Sequence, residues 1–226
     1  MKGYFITGTD TDVGKTLVSL ALMHALQAQG KRVAGFKPVS AGCINTANGL
    51  RNDDAIKLQQ AASVDFPYEI VNPYTYYPPI APHIAAQSIG DSISIEKVYA
   101  CYKKLADEAD DVIVEGAGGW LVPINKKETM ADIAAQLDLP VILVVGLRLG
   151  CLNHALLSVE SILHKGLKLS GWVANQIDQN MLNINENTNT LKELIKAPLL
   201  GTIPWKRDAS PAEISQFING ELLSIS

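Results

Sequence analysis

Short apolar runs alternate with helical segments along most of this chain. The runs have strand length and are rich in β-branched residues, which predicts strands over 2–7, 32–36, 111–115, 141–145, 171–174 and 199–203. The segments between them predict helices over 16–29, 53–62, 95–109, 130–136, 153–165 and 187–196. This alternation indicates an α/β fold with a mostly parallel central sheet and helices on both faces.

The remaining connections do not divide the chain. Residues 72–82 (NPYTYYPPIAP) contain four prolines and three tyrosines, which predicts an irregular connection. There is no internal repeat and no low-complexity linker, and 226 residues can bury a substantial core. We therefore expect a single domain spanning 1–226.

Composition excludes several classes of protein. The net charge of −4 and the absence of a long basic run argue against nucleic acid as a partner. No stretch approaches the ~20 apolar residues that cross a bilayer. The first strand begins almost at the N-terminus, so we expect no signal peptide. Cys43, Cys101 and Cys151 lack metal-ligand or redox spacing, which favours free thiols in the cytoplasm.

The segment from Gly8 to Thr16 (GTDTDVGKT) lies between the first predicted strand and the first predicted helix. Its glycines let successive backbone N–H groups face an anion, Lys15 can meet the β- and γ-phosphates, and the Thr16 hydroxyl can ligate Mg²⁺. The loop has five residues between Gly8 and Gly14 where the general motif has four. The strand–loop–helix context nevertheless predicts a P-loop NTPase-like fold that binds a nucleoside triphosphate. The residues expected to hold it are Asp12, Val13, Gly14, Lys15, Thr16 and Leu17.

Polar residues follow the apolar runs, where ligands of parallel sheets bind. Lys37 follows the second predicted strand and is placed to meet a phosphate, although a surface lysine is an alternative. Glu115 closes the third strand, and Asp54 begins a helix, where an acidic residue is also an ordinary capping feature. With Thr16, these carboxylates supply three oxygens suited to octahedral Mg²⁺.

Three further segments follow predicted strands. Gly116, Ala117 and Gly118 leave room for substrate against bare backbone, and we expect them to contribute to nucleotide binding. The start of the helix near residues 152–153 could hold a carboxylate through free N–H groups, or simply be an ordinary helix start. A nucleotide base would lie at the ends of the last two strands, where Asn175 offers both a donor and an acceptor. The residues expected near the base are Asn175, Gln176, Pro204, Trp205 and Lys206.

Together these motifs resemble the ATP-dependent dethiobiotin synthetase family. The resemblance runs from the first strand through Trp205 and includes the five-residue spacing of the loop. The last twenty or so residues carry no recognisable pattern of the family. The motifs are GTDTDVGKT from Gly8, KPV from Lys37, LRNDD from Leu50, PH from Pro82, EGAGGW from Glu115, LGCLNH from Leu149 and WVAN from Trp172.

The resemblance implies a reaction and a set of roles. The family uses 7,8-diaminononanoate, CO₂, ATP and Mg²⁺, and it releases dethiobiotin, ADP and phosphate through a carbamate and a carbamic–phosphoric anhydride. Lys15 and Lys37 would be the catalytic residues. The family forms homodimers in which the partner holds the carboxylate of the substrate. The implied substrate-binding residues are Thr11, Ser40, Ala41, Gly150, Cys151, Leu152 and Asn153.

The sequence departs from the family pattern at two places. Asp12 stands where many relatives have Glu, which keeps the charge and shortens its reach. Ser40-Ala41 stands where many relatives have Ala-Ser, so either residue could contact the substrate.

Three alternative functions share features with this sequence. A partition or septum-placement ATPase has the same fold but commonly carries an extra lysine in a GKGG-type loop, which is absent here. A GTP-binding protein is suggested by Asn175-Gln-Ile-Asp178, but the lysine of the guanine motif is missing. A ligase of the cobyrinate type would normally add a glutaminase domain, for which this chain is too short.

Overall fold

The computed structural model describes residues 2–206 and 210–219. Residues 1, 207–209 and 220–226 lie outside this part of the chain. The prediction of a single domain over 1–226 includes them, and for them it lies outside the described residues. The strands are β1 (Gly3–Gly8), β2 (Val33–Phe36), β3 (Val39–Ser40), β4 (Ile44–Thr46), β5 (Gly49–Arg51), β6 (Tyr74–Thr75), β7 (Asp111–Glu115), β8 (Val141–Leu147), β9 (Leu169–Gln176) and β10 (Leu199–Ile203). The helices are α1 (Lys15–Ala28), α2 (Asp53–Ala61), α3 (Tyr68–Val71), α4 (Pro82–Ser88), α5 (Ile95–Glu108), α6 (Met130–Leu137), α7 (Cys151–His164), α8 (Ile184–Leu194) and α9 (Pro211–Ser215).

A six-stranded sheet forms the centre of the fold, in the order β10-β9-β8-β1-β7-β2. Every neighbouring pair in this sheet is parallel. Two small sheets lie outside it, one pairing β3 with β6 in parallel and the other joining β4 and β5 as an antiparallel hairpin. The predicted α/β fold with a mostly parallel sheet is confirmed.

Continuous apolar runs form the central strands because both faces of the sheet are covered. In β1, Phe5 packs into one hydrophobic core and its neighbour Ile6 packs into the other. The core around Ile6 contains apolar residues of α1, α2 and α9. The core around Phe5 contains those of α4, α5, α6, α7 and α8. Strands buried on both faces need no polar alternation, which explains why simple apolar runs located them.

Helix α2 approaches the sheet closely because β2 has a glycine at the contact. A Cβ atom on Gly35 would lie 2.8 Å from the Cβ atom of Leu58 in α2. Asn52 caps this helix, and its side chain accepts a hydrogen bond of 3.2 Å from the Ala55 N–H. This packing brings Asp54, in the first turn of α2, beside Lys37 at the end of β2.

Two local predictions that bear on the site differ from the structure. Residues 72–82 are not irregular throughout, because β6 pairs with β3 and Pro82 is the first residue of α4. Proline fits that position because the first N–H groups of a helix need no intrahelical partner. Helix α7 begins at Cys151, two residues before the predicted start, with Gly150 as its N-cap residue. No helix in the described ranges is long and apolar enough to span a membrane.

Candidate active site

The phosphate loop lies between β1 and α1 and packs against the end of β9. Gly14 caps α1 with φ of 89°, and a Cβ atom there would lie 2.2 Å from Asn175 Nδ2. The same Nδ2 donates a hydrogen bond of 2.8 Å to the Val13 carbonyl. Only glycine combines this backbone conformation with so close a neighbour. The side chain of Asn175 therefore packs against the phosphate loop and helps to hold its conformation.

The other side of the loop is tied to the connection between β8 and α7. The Asp10 carboxylate forms an ion pair with Arg148 and accepts a hydrogen bond of 2.7 Å from the Thr11 N–H. Asp12 has φ of 57°, a conformation that aspartate tolerates better than most residues. Its carboxylate is exposed. The loop thus has a defined conformation before any phosphate is considered.

Four of the predicted polar side chains meet at the ends of β2 and β7. Lys37 Nζ lies 2.5 Å from Glu115 Oε1 and 3.4 Å from Asp54 Oδ2. The Thr16 hydroxyl donates a hydrogen bond of 2.8 Å to the same Oε1 of Glu115. Glu115 Oε2 is buried and has no hydrogen-bond partner among the described residues. The cluster therefore presents one carboxylate oxygen that is free to accept another ligand.

The charges of this cluster stabilise one another. Burial lowers the pKa of Lys37, but the charges of Glu115 and Asp54 outweigh this effect and raise the pKa above its usual value. Burial raises the pKa of Asp54, but the charge of Lys37 outweighs this effect and holds the pKa below its usual range. Lys37 is thus a buried, fully protonated cation at the floor of the site.

Lys15 has a different environment. Burial and the nearby positive charge of Lys37 lower its pKa to about 8, although Glu115, Asp12 and Asp54 partly oppose this shift. Its Nζ donates a hydrogen bond of 2.8 Å to the Asp10 carbonyl, within the loop itself. A negatively charged ligand in the loop would favour the charged form of this ammonium group and raise its pKa again.

A cavity of about 760 Å³ opens above this cluster. Twelve of the predicted site residues line it, namely Thr11, Asp12, Gly14, Lys15, Thr16, Lys37, Ser40, Ala41, Asp54, Glu115, Ala117 and Gly118. Its other lining residues were not predicted as site residues, namely Asn52, Pro79, Ile80, Ala81, Pro82 and Val122. The proline-rich composition of 72–82 was visible in the sequence, but it did not reveal which side of the chain would face a cavity.

Ser40 and Ala41 both line the cavity but differ in what their side chains do. The Ser40 hydroxyl is buried and donates a hydrogen bond of 2.8 Å to Asn72 Oδ1. It also lies 3.3 Å from the Cys43 Sγ atom. Ala41 is partly exposed and has no polar side-chain atom. The serine hydroxyl therefore already has partners within the protein.

The residues expected near the base lie together but outside the cavity lining. Gln176 Oε1 accepts a hydrogen bond of 3.1 Å from the Trp205 N–H, which joins the ends of β9 and β10. Trp205 is exposed, and the Lys206 ammonium group lies 5.0 Å from the centre of the Phe217 ring. Pro204 is partly exposed beside them. Asn175, near the end of β9, contacts the phosphate loop through its hydrogen bond to the Val13 carbonyl.

The remaining predicted residues have separate positions. Leu17 and Gly116 flank the cluster in sequence without lining the cavity. The segment 150–153 is also absent from the cavity lining, with Cys151 buried and Asn153 exposed at the start of α7. Leu149, immediately before it, is 95% exposed.

The parallel sheet, the loop before α1 and the strand-end cluster define a P-loop nucleotide-binding protein. A family model described as an AAA domain matches residues 2–213. Solved structures share the fold at low identity: the MinC:MinD cell division protein complex of Aquifex aeolicus (TM-score 0.61, 18% identity, covering 100% of this chain and 95% of that chain) and a ParA family ATPase of Chlorobium tepidum (TM-score 0.56, 16% identity, covering 100% and 93%). These likenesses concern the fold alone.

Full-length relatives are much more similar. ATP-dependent dethiobiotin synthetase BioD of Aeromonas hydrophila is 48% identical over 215 residues, covering 95% of each chain. The enzyme of the same name from Pseudomonas paraeruginosa is 47% identical over 226 residues, covering 100% of this chain and 99% of the relative. BioD 1 of Escherichia coli O157:H7 is 47% identical over 223 residues, covering 98% and 99%. The chain belongs to the ATP-dependent dethiobiotin synthetase family, as its motifs predicted.

Proposed function

We propose that this chain catalyses the ATP-dependent closure of the ureido ring of dethiobiotin from 7,8-diaminononanoate and CO₂, with release of ADP and phosphate. Membership of the family supports this activity in biotin biosynthesis. The observation that carries the mechanism is the buried Lys37 cation, held by Glu115 and Asp54 beside the phosphate loop.

The reaction needs positive charge where phosphoryl groups move. One amine of the substrate captures CO₂ as a carbamate, whose oxygen attacks the γ-phosphorus of ATP as ADP leaves. The second amine then attacks the carbonyl carbon of the resulting anhydride, the C–O bond to phosphate breaks, and the ring closes. Lys15 balances charge on the β- and γ-phosphates, while Lys37 contacts both the carbamate and the transferring phosphoryl group. Catalysis of this kind rests on positioning and electrostatic stabilisation.

Magnesium fits the donor set at the floor of the site. Among the described residues, no group of three or more His, Cys, Asp or Glu side chains is arranged to hold a metal ion. Thr16, Asp54 and Glu115 nevertheless provide three oxygens, and Mg²⁺ commonly completes its shell with waters and phosphate oxygens. The free Oε2 of Glu115 supports this assignment. The ion would neutralise negative charge on the triphosphate.

The cavity matches the diamine in character. Pro79, Ile80 and Val122 provide apolar surface for its alkyl chain, and the charged cluster lines the same cavity. Thr11 and Ala41 also line this cavity, together with Ala117 and Gly118. We assign Thr11, Ser40 and Ala41 to substrate binding, and Gly116, Ala117 and Gly118 to nucleotide binding.

We propose that the active form is a homodimer. Residues 150–153 do not line the cavity of their own subunit, so their N–H groups would meet the substrate carboxylate only in a partner's site. Cys43, Cys101 and Cys151 are free and buried thiols, which supports a cytoplasmic enzyme. We treat 1–226 as one catalytic domain.

We assign the base site to the ends of β9 and β10. Asn175 would meet the purine edge, and Gln176, Pro204, Trp205 and Lys206 would surround the base. The contact between Gln176 and Trp205 supports this assignment because it brings the two strand ends together. Competition between ATP and GTP would measure how strictly the base is selected.

The decisive experiment measures ADP release with ATP, Mg²⁺ and bicarbonate, with and without diaminononanoate. We expect release to depend on the diamine and to match the dethiobiotin formed. Equal release with and without the diamine would contradict the proposal. It would instead favour a switch ATPase on the same fold.

A further inference from the structure

Asn72 lies beside the active site, and both the NH₂ group and the oxygen of its side-chain amide form hydrogen bonds. It follows α3 and is only 2% exposed. Its Nδ2 donates hydrogen bonds of 2.6 Å to the Lys37 carbonyl and 3.3 Å to the Tyr74 carbonyl. Its Oδ1 accepts hydrogen bonds of 2.8 Å from the Ser40 hydroxyl and 2.9 Å from the Tyr68 hydroxyl. An asparagine amide can satisfy two donors and two acceptors in this way.

The direction of this amide follows from its partners. The Tyr68 hydroxyl accepts a hydrogen bond of 2.7 Å from the Asn52 N–H, so its own proton points to Asn72 Oδ1. On the other side, Nδ2 faces two carbonyl oxygens, which can only accept. A flipped amide would place oxygen against oxygen in a buried site, at a considerable cost.

Asn72 thereby joins three parts of the active site. Its first partner is the backbone of Lys37. The Lys37 N–H also donates a hydrogen bond of 2.8 Å to the carbonyl of Val71, the residue before Asn72. Through Tyr68 it reaches Asn52, the cap of the helix that carries Asp54. Its third partner, Ser40, lines the substrate cavity.

We propose that Asn72 is a positioning residue of the ligase reaction, holding the backbone of Lys37 and the start of α2 at the separation that the lysine and Asp54 need. Asn72 lines no part of the cavity and contacts no reacting atom. This inference rests on the role proposed for Lys37. Its effect should fall on the chemical step, because the phosphate loop is held by Asn175 and Arg148 instead.

The substitution Asn72→Asp tests this role with almost no change in shape. It keeps the acceptor for Ser40 and Tyr68 but turns an oxygen toward the carbonyls of Lys37 and Tyr74. We expect kcat for diamine-dependent ADP release to fall about tenfold or more, since small misplacements of catalytic groups are costly. The KM for ATP should stay within about threefold, because interactions in the ground state are kept.

Asn125→Asp is the matched control. The Asn125 amide also makes four hydrogen bonds, to Ile93, Lys127 and twice to Glu128, and none of these partners belongs to the proposed site. We expect this variant to lose stability and to keep its kcat per folded molecule. Comparable losses of kcat in both variants would overturn the inference, because they would reflect general destabilisation.

Two further variants keep the test decisive. Lys37→Ala is assayed in parallel. If Lys37→Ala keeps its activity, the proposed role of Lys37 is contradicted. If Lys37→Ala loses activity but Asn72→Asp does not, the proposed role of Asn72 is contradicted. Should Asn72→Asp not fold, Tyr68→Phe decides. It leaves the bond between Asn72 and Lys37 and removes the hydroxyl that joins Asn72 to Asn52. We expect a loss of kcat of about threefold or more with an unchanged KM for ATP. An unchanged kcat would overturn the inference.

Discussion

Lys37 combines burial with two carboxylate partners, and this combination determines what it can do. Its ammonium group is 2.5 Å from Glu115 and stays protonated because the surrounding negative charge raises its pKa. A fixed cation in a site with little water stabilises developing negative charge more strongly than a solvated one. The lysine is therefore suited to a transition state in which charge gathers on a phosphoryl group.

We expect Lys37→Ala to lower the rate of diamine-dependent ADP release about a hundred- to thousandfold. ATP binding should largely survive, because Lys15 and the loop remain, and it can be followed by calorimetric titration. Lys31→Ala is the control, since Lys31 forms a comparable 2.8 Å ion pair with Asp111 at the opposite end of β7. A variant at Lys37 that retained more than about a tenth of the wild-type rate would contradict its assignment.

The sequence predicted some residues of the site and missed others for a physical reason. Lys37 and Glu115 were found because parallel strands end at one edge, so residues far apart in sequence meet there. Asn72 was not found, because its importance comes from contacts with Lys37, Ser40 and Tyr68 that no local pattern encodes. Whether Ser40 reaches the substrate stays a prediction.

At the scale of elements, the start of α6 shows how a helix is fixed in place. The Asp132 carboxylate accepts hydrogen bonds of 2.7 Å from the Thr129 N–H and 2.8 Å from its hydroxyl. It also forms an ion pair of 2.5 Å with Lys165, just beyond α7. Burial raises the Asp132 pKa, but these partners outweigh it and hold the pKa below its usual value.

Because the pKa of Asp132 is lower in the folded protein than in the unfolded chain, its ionised carboxylate stabilises the fold. This stabilisation is complete at pH values above the unfolded pKa, and it is lost as the pH falls through the folded pKa. We expect Asp132→Asn to lower the free energy of unfolding by about 1 kcal/mol at neutral pH. Urea unfolding at neutral pH and near pH 3 would measure the loss and its decline. Asp107→Asn, at an exposed residue, is the control. An equal loss at both pH values would exclude the carboxylate charge as the cause.

The elements themselves were predictable to different degrees. All six central strands were located, because a sheet covered on both faces requires continuous apolar runs. Strands β3 and β6 were missed because two residues are too short to show a period, and their pairing depends on chain segments 35 residues apart. Helix α4 was missed because prolines usually indicate turns, although Pro82 here begins the helix.

At the scale of the whole molecule, Leu149 tests the proposed dimer. It is 95% exposed and precedes the cap of α7, so burying it against a partner would remove apolar surface from water. We expect Leu149→Asp to shift the protein from dimer to monomer in light scattering. Diamine-dependent ADP release should fall in parallel, because residues 150–153 would no longer reach a partner's site.

Ile89→Asp serves as the control, because Ile89 is also strongly exposed but follows α4. This variant should keep both the dimer and the rate. A Leu149→Asp protein that stays dimeric and fully active would remove Leu149 from the interface. A monomer with full activity would show that each subunit binds the substrate carboxylate unaided.

The close packing of Gly14 against Asn175 has a consequence for turnover. Because the two cannot separate without breaking the bond to Val13, the phosphate loop and the end of β9 form one unit. A nucleotide that spans them would find its base and β-phosphate contacts already at their final distance. ADP keeps both of these groups after the γ-phosphate has left. We therefore expect ADP to compete with ATP for this unit in every cycle.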